Sequence, residues 1–227
     1  MLKLHGFSTS NYYNVVKLAL LEKGAAFEES VVYTGASSSY RPDYLQQSPL
    51  GKVPCLETDE GCLAESRCIV DYLERAYPQP ALYPSSPFAV AKLLEFTQVV
   101  DLYLELAARR LLPNLFTRTT PHAVVATEVR HVITKGAKAI AQLADFDTFA
   151  LGAVFSAADI AAVIHFPMVR MITMRVLDCD PLGEVPGVIA YLARMEQRPT
   201  VARIRVDQVA NLPDFLAHIK KQYAAPQ

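Results

Sequence analysis

Gly51-Lys52-Val53-Pro54-Cys55-Leu56-Glu57-Thr58-Asp59-Glu60-Gly61-Cys62-Leu63-Ala64-Glu65-Ser66 is the stretch on which the fold turns. Val53–Glu57 and Cys62–Ala64 flank the turn Asp59-Glu60-Gly61, which reads as a β-hairpin. Ser66 then opens a helix, because Ile69, Val70, Leu73 and Tyr77 recur at helical spacing. Upstream, Leu2-Lys3-Leu4-His5-Gly6-Phe7 alternates like a strand, and Asn11–Lys23 carries a helical apolar pattern stopped by Gly24. Phe27–Tyr33 is strand-like again, and a loop rich in Gly, Ser and Pro leads from Gly35 to Lys52. The order strand-helix-strand, then hairpin-helix, is a compact α/β unit over residues 1–77.

Downstream of that unit, Pro78-Gln79-Pro80-Ala81-Leu82-Tyr83-Pro84-Ser85-Ser86-Pro87 holds four prolines in ten residues. Such density makes an extended linker, here spanning 78–87. Residues 88–227 read as helical throughout. Phe88–Leu112 is one long amphipathic stretch stopped by Pro113, His122–Leu143 is another, and Val185–Arg198 and Val201–Val206 are shorter pieces. Ser156-Ala157-Ala158-Asp159 matches a capping box, with Phe155 and Ile160 placed to close a hydrophobic staple.

The chain has 227 residues, 52% hydrophobic, with a formal net charge of −1. That balance excludes broad attraction to nucleic acid or an anionic membrane as the main activity. No apolar run approaches the ~20 residues of a membrane span, and Met1–Gly6 lacks the features of a signal peptide. A soluble cytoplasmic protein is the expectation. Cys55, Cys62, Cys68 and Cys179 show no metal-ligand spacing and the histidines are scattered, so no metal is expected. Most of these thiols read as small apolar core residues.

Strand, helix, strand, loop, then a hairpin opened by Val53-Pro54 is the order of the thioredoxin-like fold. Joined to an all-helical second domain, the chain resembles the cytosolic glutathione S-transferases over nearly its whole length. Gly51-Lys52-Val53-Pro54, Leu63-Ala64-Glu65-Ser66 and Phe155-Ser156-Ala157-Ala158-Asp159-Ile160 carry the resemblance through their order and spacing.

The resemblance implies a cis bond before Pro54, with Val53 offering its backbone to the cysteinyl part of glutathione like a borrowed strand edge. The plainer reading of Pro54 is a proline opening an edge strand. Glu65 would pair with the γ-glutamyl ammonium, and Ser66, at the start of a helix, would hold the γ-glutamyl carboxylate. The plainer reading there is a serine N-cap after a strand-end acid. Lys52 and Arg41 are candidates for the glycine carboxylate, although a basic loop residue is usually just solvated. The segment Arg41-Pro42-Asp43-Tyr44-Leu45 looks like the Lys-x-Pro-x-x-Leu of plant-type members.

The thiol-activating residue lies within Phe7-Ser8-Thr9-Ser10-Asn11-Tyr12-Tyr13-Asn14. Counting back from Gly24 puts Ser10 on the serine of the plant-type and insect-type classes, so Ser10 is the candidate. Ser8, Thr9, Asn11 and Tyr12 stay open as alternatives. No Cys occupies this segment, which disfavours dithiol exchange and the Cys-type members. The Ser-Ser-Cys-Ser of maleylacetoacetate isomerases is absent too. One of the three hydroxyl residues 8–10 is expected to cap the helix.

The implied activity is attack of the glutathione thiolate on an electrophilic, mostly apolar co-substrate, in a homodimer. Asp101 is a candidate to reach the partner's γ-glutamyl site. Glutathione-dependent peroxidase or isomerase activity is an alternative. So is a catalytically silent binding module, like the starvation-response proteins that bind RNA polymerase. Retention of Lys52, Val53, Pro54, Glu65 and Ser66 favours binding of the tripeptide.

Overall fold

The computed structural model describes residues 1–34 and 42–224, so Arg41 lies outside the described residues. Four strands, β1 (Leu2–Gly6), β2 (Phe27–Val31), β3 (Cys55–Thr58) and β4 (Gly61–Ala64), form one sheet in the order β2-β1-β3-β4. β1 runs parallel to β2 and antiparallel to β3, and β3 turns back into β4 through the expected hairpin. β1, β2 and β3 are one or two residues shorter than the sequence pattern drew them, and β4 is one residue longer. Val53 and Pro54 stay outside the ladder, and Val32 adds one hydrogen bond to Gly6 beyond β2. This is the thioredoxin-like arrangement.

Helix α1 (Asn11–Glu22) is buried along almost its whole length, from Tyr13 to Leu20. Two glycines fix its placement. At Gly6, φ is +153° and a Cβ would come within 2.3 Å of the Tyr13 ring, so only glycine lets helix and strand approach this closely. At Gly24, φ of +61° takes the chain out of the helix in the left-handed region, as its sequence position led us to expect. A short helix α2 (Pro42–Leu45) precedes the hairpin, and α3 (Ser66–Ala76) follows it.

By contact the chain forms two units: residues 1–81 together with the chain from Pro199 onward, and residues 82–198. The change of unit at 81/82 falls within the proline-rich stretch. The last helix reads from sequence as the short piece Val201–Val206 of the helical part. It is instead the 26-residue α10 (Pro199–Ala224), and it packs on α1 of the first unit. Lys17, fully buried on α1, explains much of that docking: its Nζ lies 2.6 Å from Glu29 and 2.9 Å from Asp207 of α10. A lysine stays charged inside a fold only when paired in this way.

The second unit is helical: α4 (Pro87–Val99), α5 (Leu106–Arg109), α6 (Leu112–Thr117), α7 (Ala123–Leu143), α8 (Ala157–Ile172) and α9 (Val188–Met195). The single stretch expected from 88 to 112 contains a π-helical segment, Val100–Glu105, and another, Thr173–Leu177, extends α8. A wider turn keeps the apolar residues on one side, so composition alone does not reveal it. Phe146 packs edge-on or tilted against Phe96, Phe166 and Tyr191 to form the aromatic centre of this core. Phe166 is thereby core.

The capping box is present: Ser156 N donates to Asp159 at 2.8 Å, and Ala158 N donates to the Ser156 hydroxyl. Asp159 also accepts from Ala150 N at 2.7 Å and from the Tyr191 hydroxyl at 2.9 Å. Burial raises its carboxyl above the usual range, and these donors pull in the other direction.

The reading of most cysteines as core needs correction, and one helix needs comment. The run Ala157–Leu177 is long and apolar enough to cross a membrane by length and composition, and 61% of its apolar window is buried within the fold. Asp159, His165, Arg170 and Arg175 interrupt this run, which is why no continuous apolar span shows in the sequence. Among the cysteines only Cys55 is buried; Cys62 and Cys179 are half-buried, and Cys68 is exposed on α3.

Candidate active site

Strand register brings the ends of β1, β3 and β4 together at one end of the sheet. Cys55 pairs with Ala64 across the hairpin and with His5 of β1. Pro54 immediately precedes β3, Glu65 immediately follows β4, and the loop to α1 leaves β1 after Gly6, so all three leave the sheet at this same end. The loop after β1, the Val53-Pro54 turn and the start of α3 therefore adjoin, although they come from three separate parts of the chain. The Val53–Pro54 bond is cis, as the resemblance implied.

Behind the turn, Lys52 is held by its backbone. Its carbonyl accepts from the Tyr44 hydroxyl at 3.0 Å and the Ser48 hydroxyl at 2.8 Å. Among the described residues its exposed ammonium has no partner. Cys55, the next residue after Pro54, is not a competing nucleophile: burial, reinforced by the neighbouring Cys62, pushes its thiol up to about 12.

Glu65 holds the cap position of α3 with φ 66° and ψ 111°, and its side chain makes no capping bond. Such a backbone is sparsely populated for a residue bearing a Cβ, and strain of this kind marks a functional position more often than a structural one. Ser66 is the first helical residue rather than the cap, which corrects the plainer sequence reading. Its side chain is buried, beside the unpaired N–H groups of the first turn, where an anion is favoured.

On the β1–α1 loop the hydroxyl residues have distinct roles. Ser10 is the N-cap of α1, with its Oγ accepting from Tyr13 N at 3.5 Å. Its own proton is donated to no group among the described residues. Thr9 donates both its amide and its hydroxyl to Asn211. Ser8 contributes its carbonyl, which accepts from Asn14 Nδ2 at 2.7 Å. Tyr13 is engaged with Glu29, and burial together with that carboxylate holds its phenol well above the ordinary value. Asn11 is buried and Tyr12 half-buried.

One sequence candidate belongs to the other unit, and one contact of the β1–α1 loop was not expected. Asp101 belongs to the second unit, on the π-helical segment, with Oδ1 3.6 Å from the buried His165 Nε2. Asn211 was not foreseen at all. It lies 202 residues from Thr9, so no local pattern pointed to it; reading through Pro213 to follow the helix past Val206 would have been the first step.

A cis-proline turn on a thioredoxin-like sheet, followed by a helical unit, defines the two-domain architecture of the glutathione S-transferases. Residues 4–81 match the family description "Glutathione S-transferase, N-terminal domain". The chain is 38% identical over 220 residues to a glutathione S-transferase of Pseudomonas putida, covering 97% of this chain and 98% of that one. It is 41% identical over 88 residues, 37% of this chain and 41% of the other, to a maleylacetoacetate isomerase of Pseudomonas aeruginosa. A glutathione S-transferase of Methylobacterium radiotolerans, solved with glutathione sulfonate, is similar in structure at a TM-score of 0.73 and 26% identity, covering 89% of this chain and 93% of that one. The chain belongs to the glutathione S-transferase family.

Proposed function

We propose that the protein binds glutathione at the sheet end where Pro54 and Glu65 adjoin and activates its thiol through Ser10 for attack on an electrophilic co-substrate. The register that sets the cis-proline turn beside the strained Glu65 and the start of α3 carries this reading. The backbone of Val53 would pair with the cysteinyl residue. Glu65 would take the γ-glutamyl ammonium, Ser66 with the α3 N-terminus its carboxylate, and Lys52 the glycine carboxylate.

The chemistry needs a thiolate, and a free thiol has a pKa of about 8.5. Lowering it by two requires about 2.7 kcal/mol of preference for the anion. A hydroxyl donating to a charged acceptor supplies about 1.5–3 kcal/mol, and the positive end of α1 adds about 0.3–1 kcal/mol. Ser10 accepts from Tyr13 N and retains its proton for donation, and as the N-cap it lies at the positive end of α1, so both terms act at one place. No metal or cationic side chain is required.

Calorimetric titration with glutathione, followed by assays with a panel of aryl halides, hydroperoxides and cis-alkene diacids, tests the reading. Saturable binding at millimolar glutathione with conjugation of the halides supports it. Absence of binding at that concentration overturns it in favour of a silent scaffold. Isomerisation of a cis-alkene diacid by the same bound thiol is a second reading, favoured by the similarity to the isomerase of Pseudomonas aeruginosa. A homodimer belongs to the proposal, with Asp101 offered to the partner's site; sedimentation as a monomer at micromolar concentration would end that part.

A further inference from the structure

The face of α10 that docks on the first unit reaches the β1–α1 loop through a series of residues at helical spacing. Asp207 pairs with Lys17, Asn211 with Thr9 and Tyr33, Phe215 with Phe7, and His218 with Tyr33 and Thr34. Phe215 stacks on Phe7 with ring centroids 5.6 Å apart, and His218 on Tyr33 at 5.1 Å. Asn211 is the polar contact of this series that touches the residue next to Ser10.

Its orientation follows from its partners. Thr9 N–H can only donate, so the atom facing it at 3.1 Å is the amide oxygen Oδ1, which also accepts from the Thr9 hydroxyl at 2.7 Å. Nδ2 then donates to the Tyr33 hydroxyl at 2.7 Å, which ties the loop to the segment after β2. Both polar groups that Thr9 can donate are thereby fixed by one side chain. Ser10 follows directly, already constrained on its other side by the turn Ser10 N to Phe7 O at 2.9 Å and by the cap to Tyr13 N.

We propose that Asn211 is a positioning residue for thiol activation: by pinning Thr9 it sets the direction in which Ser10 donates its hydroxyl. The inference rests on the proposed role of Ser10. Asn211 touches no substrate in this account. Its effect passes through Thr9, so the two residues form one unit, while glutathione's contacts with Glu65, Ser66 and Lys52 are independent of it.

The test compares Asn211→Leu, Thr9→Val, Thr9→Ser and the double variant Asn211→Leu/Thr9→Val. The readouts are the ultraviolet titration of the bound glutathione thiolate, kcat, and KM for glutathione. Asn211→Leu and Thr9→Val should each raise the pKa of the bound thiol by about one, equivalent to a tenfold loss of thiolate below that pKa. KM for glutathione should change less than about threefold, because the tripeptide contacts survive. Thr9→Ser, which keeps the hydroxyl, should restore wild-type values. The double variant should be no worse than either single change, since both cut the same contact. An unchanged thiol pKa in both single variants, or full additivity in the double, overturns the positioning role while leaving the proposed function intact. A wild type that binds no glutathione overturns the proposed function and this inference together. Should Asn211→Leu fail to fold, the two Thr9 variants decide: equal pKa in Val and Ser contradicts the proposal.

Discussion

Cys55 is the ladder partner of Ala64, so Pro54 before the one and Glu65 after the other leave the sheet at the same end. A conformation costly to any residue with a Cβ is thus held next to a cis-proline turn by ordinary sheet hydrogen bonds. The Glu65 side chain makes no capping bond there, which leaves its carboxylate available for the role proposed above.

Glu65→Gly therefore separates stability from binding. Relief of the strained backbone is worth about 1–3 kcal/mol, against about 0.5–1 kcal/mol for the added freedom of glycine. The variant should melt at or above the wild-type temperature while its affinity for glutathione falls at least about tenfold. A lowered melting temperature with unchanged affinity would show that Glu65 serves the fold instead.

Ser66→Ala tests the neighbouring anion contact. The γ-glutamyl carboxylate changes little during reaction, so losing its partner removes binding shared by ground and transition states. KM for glutathione should rise by the equivalent of about 1.5–3 kcal/mol, with kcat at saturation nearly unchanged. Equal KM in variant and wild type would remove Ser66 from the site.

The α/β order, the hairpin, the Gly24 stop and the Ser156–Asp159 box were legible because each is written in a few adjacent residues. The cis bond at Pro54 was legible through the resemblance alone. What escaped the sequence is long-range. The π-helical turns keep the apolar pattern of an α-helix. Helix α10 runs through Pro213 and docks by Lys17–Asp207 and Thr9–Asn211, pairs separated by most of the chain. The burial of Lys17 had no local signal either, since a lysine between apolar neighbours on α1 reads as the polar face.

Asp207 makes the docking of α10 pH-dependent. Burial works to raise its carboxyl, and hydrogen bonds from Lys17 and Arg203 outweigh that and hold it below the ordinary 3.8. A depressed pKa means that the unfolded chain binds the proton more readily. The stabilisation is therefore complete well above 3.8 and disappears as pH falls through the lower folded value. Compared with Asp207→Asn, the wild type should be more stable at pH 6 by about 1.5–3 kcal/mol, and the gap should close in acid. A gap independent of pH would contradict the ion pair.

Asp159→Asn should destabilise the second unit by at least about 3 kcal/mol. The carboxylate accepts from Ala150 N, Ser156 N, Ser156 Oγ and Tyr191 Oη with both oxygens. An amide turns an N–H₂ group against two of those donors in a buried place. Thermal melting measures the loss, and a wild-type melting temperature would refute this account of the cap.

The most direct test of the central claim is the titration of bound glutathione by thiolate absorbance in wild type and Ser10→Ala. Ser10 is claimed to stabilise the anion with the proton it keeps while capping α1. The account predicts a thiol pKa about two below its free value in the wild type, rising by at least one in the variant, with a turnover deficit at pH 7 that shrinks as pH rises. An identical thiol pKa in wild type and Ser10→Ala would contradict it and transfer the role to another residue of the Ser8–Tyr12 segment.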